Sequence, residues 1–143
     1  MTKIPDEVIA AAKASQKKWN IPASVSLSQW AVESGWGQHY SGRNNPFGIK
    51  GKGLHFVKTK EWSKTKGWYW ITTTFKDYDT IEEAFDDHGR ILATLPVYSK
   101  ARATLPDPIK FVHALTGVYA TAPNYGDVLE GVINGSQKLR QYD

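Results

Sequence analysis

"AVESGWGQHYSGRNNPFGIKG", residues 31–51, decides how this chain is read. One acid, Glu33, closes a run of small and apolar residues; Gly35-Trp36-Gly37 and then Asn44-Asn45-Pro46-Phe47-Gly48 turn the chain sharply. Upstream, "ASVSLSQWAVES" predicts a helix from near Pro22 to Gly35, small or apolar on all sides and therefore buried in the middle of the fold. Glu33 falls in its last turn, facing the negative end of the helix dipole, and no Lys or Arg follows before Arg43. With Trp30 and Trp36 near it in sequence, that setting favours the protonated carboxyl. Glycoside hydrolysis needs such a proton donor beside the leaving oxygen, and a second carboxylate across the sugar. A helix-end surface acid would show the same spacing, and the residues alone leave both readings open.

Outward from this stretch, Val8, Ala11, Ala12, Ser15 and Trp19 follow the helical period and predict a first helix from Pro5 or Asp6 to about Trp19. Residues 42–53 read as loop. "LHFVKTKEW" and "GWYWITTTF", joined by "SKTKG", predict a β-hairpin over 54–75, with His55, Val57, Thr59 and Glu61 on one face. Thr80-x-x-Glu83 is a capping box, and Ile81, Ala84, Phe85, His88 and Leu92 form the buried stripe of the helix it opens. Asp107-Pro108 opens a fourth helix. A fifth is expected from Asp127 to about Arg140, using Val128, Leu129, Val132 and Ile133. The sum is an α+β, mostly α-helical layout, with a small hairpin lobe flanking a cleft where a site belongs.

A chain of 143 residues is most simply one domain, and at this size about two-thirds of the unfolded surface can be buried without staples. Zero Cys removes disulfides, thiol catalysis and thiolate metal sites. The four His show no metal spacing, "DYDTIEEAFDD" lacks the mid-loop Gly of a calcium loop, and no phosphate loop or nucleophile elbow is present. No metal or cofactor is expected. The net charge of +4 is local: Lys50, Lys52, Lys58, Lys60, Lys64 and Lys66 fall in one segment where Glu61 is the lone acid. Such a surface suits an anionic partner, although lysines that merely keep a hairpin soluble look the same. Six Trp in so short a chain suggest that some line a groove.

"SLSQWAVESGWGQH" followed by "NNPFGIKG" resembles the bacterial glucosaminidase family of peptidoglycan hydrolases, glycoside hydrolase family 73. "VKTKEW" looks like that family's hairpin strand, with its Thr-x-Glu-aromatic pattern. "FKDYDTIEEAFDDH" is similar to its Phe-x-x-Tyr segment and the helix after it. "YATAPNY" resembles its Tyr-Ala-Thr-Asp-Pro-x-Tyr motif. The agreement runs in order from about Ile21 to Arg140. It implies a lysozyme-like fold and endo-acting cleavage of the β-1,4 bond after N-acetylglucosamine in peptidoglycan.

The resemblance makes Glu33 the general acid and aligns Glu61 with a base or charge stabiliser, which Lys60 and Lys64 beside it would keep charged. Asp77, Asp79, Asp86 and Asp87 compete for the second role but are expected on the far side. Tyr119 corresponds to a tyrosine near the scissile bond. Ala122 departs from the motif, where Asp is common, which puts the rigidity of that loop in doubt. Trp36, Asn45, Phe47, Trp68, Trp70, Tyr78 and Tyr125 are the expected substrate-binding residues, with Asn44 and Asn45 fixing the turn. Muramidase action on the same polymer and a non-catalytic wall-binding module remain open alternatives. Nucleic acid is not an expected partner. "MTKIPDEVIAAAKASQKKWN" lacks the apolar core of an export signal, and no run spans a bilayer. The expectation is a monomer made in the cytoplasm, acting on glycan strands of an anionic envelope, in the manner of a phage endolysin.

Overall fold

A computed structural model describes residues 3–53 and 56–143. The elements are α1 (Asp6–Trp19), α2 (Ala23–Ser34), β1 (Phe56–Ser63), β2 (Gly67–Thr74), α3 (Ile81–Thr94), α4 (Ser99–Arg102), α5 (Pro108–Ala114) and α6 (Tyr125–Ile133), with 3-10 turns at Pro96–Tyr98 and Leu139–Tyr142. The helical body and the hairpin lobe together form the lysozyme-like, mostly helical α+β arrangement that the sequence predicts.

α2 is the axis of the body because its small side chains let neighbours approach from every side. Ala23, Leu27, Trp30 and Ala31 belong to one apolar core, shared with α1, the start of α3, Phe47 and Leu139. Val25 belongs to a second core with Leu92, Tyr98, Phe111, Val112, Leu129 and Ile133. Its N-terminus follows Pro22, which offers no capping side chain. Instead Ala23 N–H donates to Gln16 Oε1 at 2.9 Å, and Asp143 accepts from Ser24 N–H at 2.6 Å and from the Ser24 hydroxyl at 2.8 Å. Asp143→Ala removes this remote cap. We expect a loss of about 1 kcal/mol and a melting temperature lowered by roughly 2–4 °C, measured by thermal circular dichroism.

α2 stops at Gly35, which takes the left-handed conformation at φ 57°. The loop beyond is pinned by Asn45, which is fully buried. Its Nδ2 donates to the carbonyls of Ile49 (2.8 Å) and Lys76 (2.9 Å), and its Oδ1 accepts from the N–H groups of Phe47 (3.2 Å) and Ile49 (3.3 Å). Asn44 Nδ2 donates to the Tyr78 and Asp79 carbonyls. The asparagines therefore fix the turn. Asn45→Ala strands the Lys76 carbonyl and the N–H groups of Phe47 and Ile49, while the Ile49 carbonyl keeps its bond from Lys76 N–H, so a loss of roughly 2–3 kcal/mol is expected in urea unfolding.

β1 and β2 pair antiparallel, with Lys60 opposite Trp70, Glu61 opposite Tyr69 and Trp62 opposite Trp68. Val57, Thr59 and Glu61 share the more covered face, while Phe56, Lys58 and Lys60 are exposed. Leu54 and His55, part of the expected strand, lie outside the described residues. Thr80 caps α3 as its box predicts, accepting from Glu83 N–H at 3.1 Å, but the Glu83 carboxylate reaches back to Asp79 N–H rather than to Thr80. Ile81 is only half-buried. Asp107 caps α5 through Ile109 and Lys110 N–H.

Two expectations need correction. The last long helix starts at Tyr125 rather than Asp127 and ends at Ile133 rather than near Arg140, because Asn134-Gly135 breaks it and the chain folds back. A 3-10 turn then carries Leu139 into the first core. Val128 is exposed, not part of the buried stripe. α4 was not expected at all, being too short to show a period.

Candidate active site

A cleft of about 830 Å³ runs between the hairpin and the helical body, with Glu33, Phe47, Gly48, Glu61, Tyr119 and Tyr125 among its walls. α2 delivers Glu33 from its last turn. Gly48, at φ 68°, lets the loop pass close beneath it: a β-carbon there would lie 3.7 Å from Glu33 Oε1. Burial pushes the Glu33 carboxyl above its ordinary value of 4.5. The hydrogen bond donated by Tyr125 to Oε2, 2.7 Å long, pulls it partly back, and the Glu61 charge pushes it up further.

Glu61 reaches the cleft from β1. Thr121 Oγ1 donates to its Oε2 at 2.8 Å and accepts from Trp62 N–H at 2.9 Å, which ties the hairpin to the loop before α6. The lysine that meets Glu61 is Lys50, at 3.1 Å from Oε1, and not the sequence neighbours expected from strand position. Lys60 instead lies over the indoles of Trp68 (5.5 Å) and Trp70 (5.8 Å), on the other face of the strand. The strand's alternation explains the exchange: Glu61 and its neighbour at 60 point to opposite faces.

Tyr119 lines the cleft, its hydroxyl donating to the Phe47 carbonyl at 3.0 Å and its ring stacked on Tyr125 at 6.1 Å. Burial keeps both hydroxyls protonated, far above the ordinary tyrosine range. Phe47 is buried, borders the cleft and stacks on His88 at 4.0 Å. Trp68 is half-exposed and lines the cleft.

The other expected binding residues lie elsewhere. Trp36 turns its edge onto Trp30, 5.9 Å away, and packs on the first core. Asn45 is the buried loop anchor already described. Tyr78 is buried, with its hydroxyl donating to Asp87. Trp70 is 65 % exposed beside the cleft rather than in its wall. The competing acids are engaged away from the cleft: Asp77 accepts from Arg43 N–H, Asp79 pairs with Arg43, Asp86 with Lys18, and Asp87 with Lys76 and Arg90. Among the described residues no group of His, Asp and Glu could hold a metal ion, and no helix is long and apolar enough to cross a membrane.

The sequence reading places neither Thr121 nor Gln29 at the site, and names Lys50 only among the lysines of the basic segment. Each left a trace: Thr121 stands two residues after Tyr119 in the matched motif, Lys50 closes the loop motif, and Gln29 lies four residues before Glu33 on the same helix face.

Comparison with known proteins adds the following. The family model described as "Glucosaminidase: Mannosyl-glycoprotein endo-beta-N-acetylglucosaminidase" matches residues 9–138. A protein named probable N-acetylmuramidase, from Lactococcus lactis subsp. lactis, is 34% identical over 152 residues, which is 96% of this chain but 34% of that protein. The chain thus spans about a third of the length of that relative. The catalytic domain of the autolysin Auto from Listeria monocytogenes superposes with a TM-score of 0.78 at 32% identity, over 100% of this chain and 91% of that one. A peptidoglycan hydrolase mutant from Sphingomonas sp. A1 gives 0.80 at 32% identity, over 96% and 94% of the two chains.

Proposed function

The chain belongs to the glucosaminidase family, and on that premise we propose that it is an endo-β-N-acetylglucosaminidase of bacterial peptidoglycan. One observation supports the reading: the cleft holds Glu33, a carboxyl whose pKa burial raises, within electrostatic reach of a second carboxylate, Glu61, on the opposite lobe. In this reading Glu33 gives its proton to the glycosidic oxygen as the C1–O bond breaks. Glu61, held by Lys50 and Thr121, stabilises the positive charge growing on the sugar or takes a proton from the incoming water. Tyr119 and Tyr125 keep their protons and serve as hydrogen-bond donors. Residues 1–143 act as one catalytic domain and as a monomer; both carboxylates come from one copy, so the site needs no second copy to complete it.

The test digests purified peptidoglycan, reduces the new ends with borohydride and identifies them by mass spectrometry. Reduced N-acetylglucosamine is the expected result. Reduced N-acetylmuramic acid would transfer the assignment to the muramidase bond, the reading favoured by the name of the Lactococcus relative. No cleavage at all would favour a wall-binding module.

The envelope that holds the glycan is anionic, and the hairpin offers a matching face. Phe56, Trp68 and Trp70 are exposed there, with Lys58 and Lys60 between them. Trp68→Ala is expected to raise KM for soluble glycan fragments roughly two- to tenfold with kcat little changed, from the loss of one aromatic stacking contact. Trp70→Ala should affect retention on whole wall sacculi more than turnover of short fragments, measured by sedimentation at rising salt.

A further inference from the structure

α2, α3 and α6 meet in a line of four polar side chains that crosses an otherwise apolar interior. His88 Nε2 lies 2.7 Å from Gln29 Oε1, Gln29 Nε2 lies 3.0 Å from the Tyr125 hydroxyl, and that hydroxyl lies 2.7 Å from Glu33 Oε2. Gln29 and His88 are both fully buried. The donor and acceptor inventory fixes the direction of the line. An amide oxygen only accepts, so His88 carries its proton on Nε2. An amide NH₂ only donates, so the Tyr125 oxygen accepts from Gln29 and its one proton is left for Glu33.

The opposite direction is disfavoured by burial. Turning the Gln29 amide over would make His88 Nε2 an acceptor and move the ring proton to Nδ1. That atom is sealed from solvent and has no partner. A buried N–H without an acceptor carries the full cost of desolvation, and orphaned N–H groups are rarer in folded proteins than under-satisfied acceptors. The ring itself stays neutral across the working range, because burial pushes its pKa down to about 3 against the opposing pull of Asp87.

We propose that Gln29 and His88 are positioning residues that lock the Tyr125 hydroxyl as a donor to Glu33 Oε2, so that the acid's transferable proton sits on Oε1, the oxygen facing Gly48 in the cleft. This rests on the reading of Glu33 as the general acid. A carboxylic acid whose Oε2 already accepts a hydrogen bond cannot also donate from that oxygen to the same hydroxyl. The proton is therefore held on the substrate side. When it leaves with the glycosidic oxygen, the negative charge on Oε2 meets a donor already in place, so no side chain has to reorient during the step. Without the lock, the Tyr125 hydroxyl can rotate toward the amide and accept from Glu33, and the proton is drawn into the protein. The other groups facing Glu33 are Glu61 from β1, with Lys50 upon it, and Tyr119 from the loop before α6; none of them fixes the Tyr125 hydroxyl.

The decisive variant is Gln29→Met, which fills a similar space without charge and cannot donate, so that the Tyr125 hydroxyl is no longer held toward Glu33. The expected result is a kcat lower by about ten- to a hundredfold, the value of one hydrogen bond to a charged group, with KM within about twofold. The basic limb of the kcat profile should move to higher pH, because Glu33 loses a bond that favours its charged form. His88→Phe, which frees the amide but leaves it a donor, should shift both readouts in the same direction by less. An unchanged basic limb in Gln29→Met, whatever happens to the rate, would overturn the proposal and leave Gln29 a packing residue. Should the variants fail to fold, ¹⁵N NMR of the wild-type His88 ring decides: a proton on Nε2 supports the lock, and a proton on Nδ1 overturns it. That spectrum needs no turnover, so an inactive wild-type protein would refute the glycosidase reading while leaving this one separately testable.

Discussion

Glu33→Gln is expected to lower the rate of new reducing-end formation from peptidoglycan by about 10³-fold, within the range of general acid catalysis, while the protein remains folded and becomes more heat-stable at pH 7. The two halves have one cause. Burial raises the Glu33 pKa above 4.5, so the folded state disfavours the charged form relative to the unfolded chain. The contribution of Glu33 to stability is therefore fully present below about pH 4.5 and is lost as pH rises through the folded value. Glutamine removes the charge while its side-chain oxygen can still accept from Tyr125. Melting curves should show the variant above wild type at neutral pH, with the gap closing as pH falls toward 4.5. A variant less stable than wild type at pH 7 would mean that the Glu33 carboxylate is comfortably solvated and unsuited to hold a proton.

Glu61→Gln is expected to reduce the rate by about 10²-fold or more if the protein supplies the second carboxylate. It should also lower the pKa of Glu33, because the Glu61 charge pushes that carboxyl up. The basic limb of the pH profile then moves to lower pH, the reverse of the shift expected for Gln29→Met. A rate near that of wild type would assign the second role to the 2-acetamido group of the substrate. Thr121→Val probes the same point from the other lobe. It removes the hydroxyl that holds both Glu61 Oε2 and Trp62 N–H, and should reproduce part of the Glu61→Gln loss.

The elements legible in the sequence are those whose cause is local. α2 is readable because every position from Ala23 to Ala31 is small or apolar apart from one amide, and the hairpin because its two strands alternate around a polar turn. Thr80 and Asp107 mark helix starts through side chains that cap within three residues. Glu33 is legible for the same reason: its isolation is written in the residues beside it. What escaped depends on contacts distant in sequence. The partner of Glu61 is Lys50 from the loop after α2, not a strand neighbour, and its second partner, Thr121, is sixty residues away. Asp143 caps a helix 119 positions earlier. Trp68 and Trp70 read alike in the strand, yet the cleft takes one in its wall and leaves the other beside it. His88 looked like one member of an apolar stripe, and only the fold shows it meeting Gln29 behind the acid.

The central claim is that burial raises the Glu33 pKa where a glycosidic oxygen can take its proton. The most direct measurement is a ¹³C NMR titration of side-chain carboxyls in the substrate-free protein, with the Glu33 resonance assigned by its disappearance in Glu33→Gln. The account predicts a midpoint above 4.5 that moves down in Glu61→Gln and up in Tyr125→Phe. A midpoint at or below 4.5 would contradict it, since Glu33 would then be an ordinary ionised carboxylate across the range in which the enzyme is expected to work.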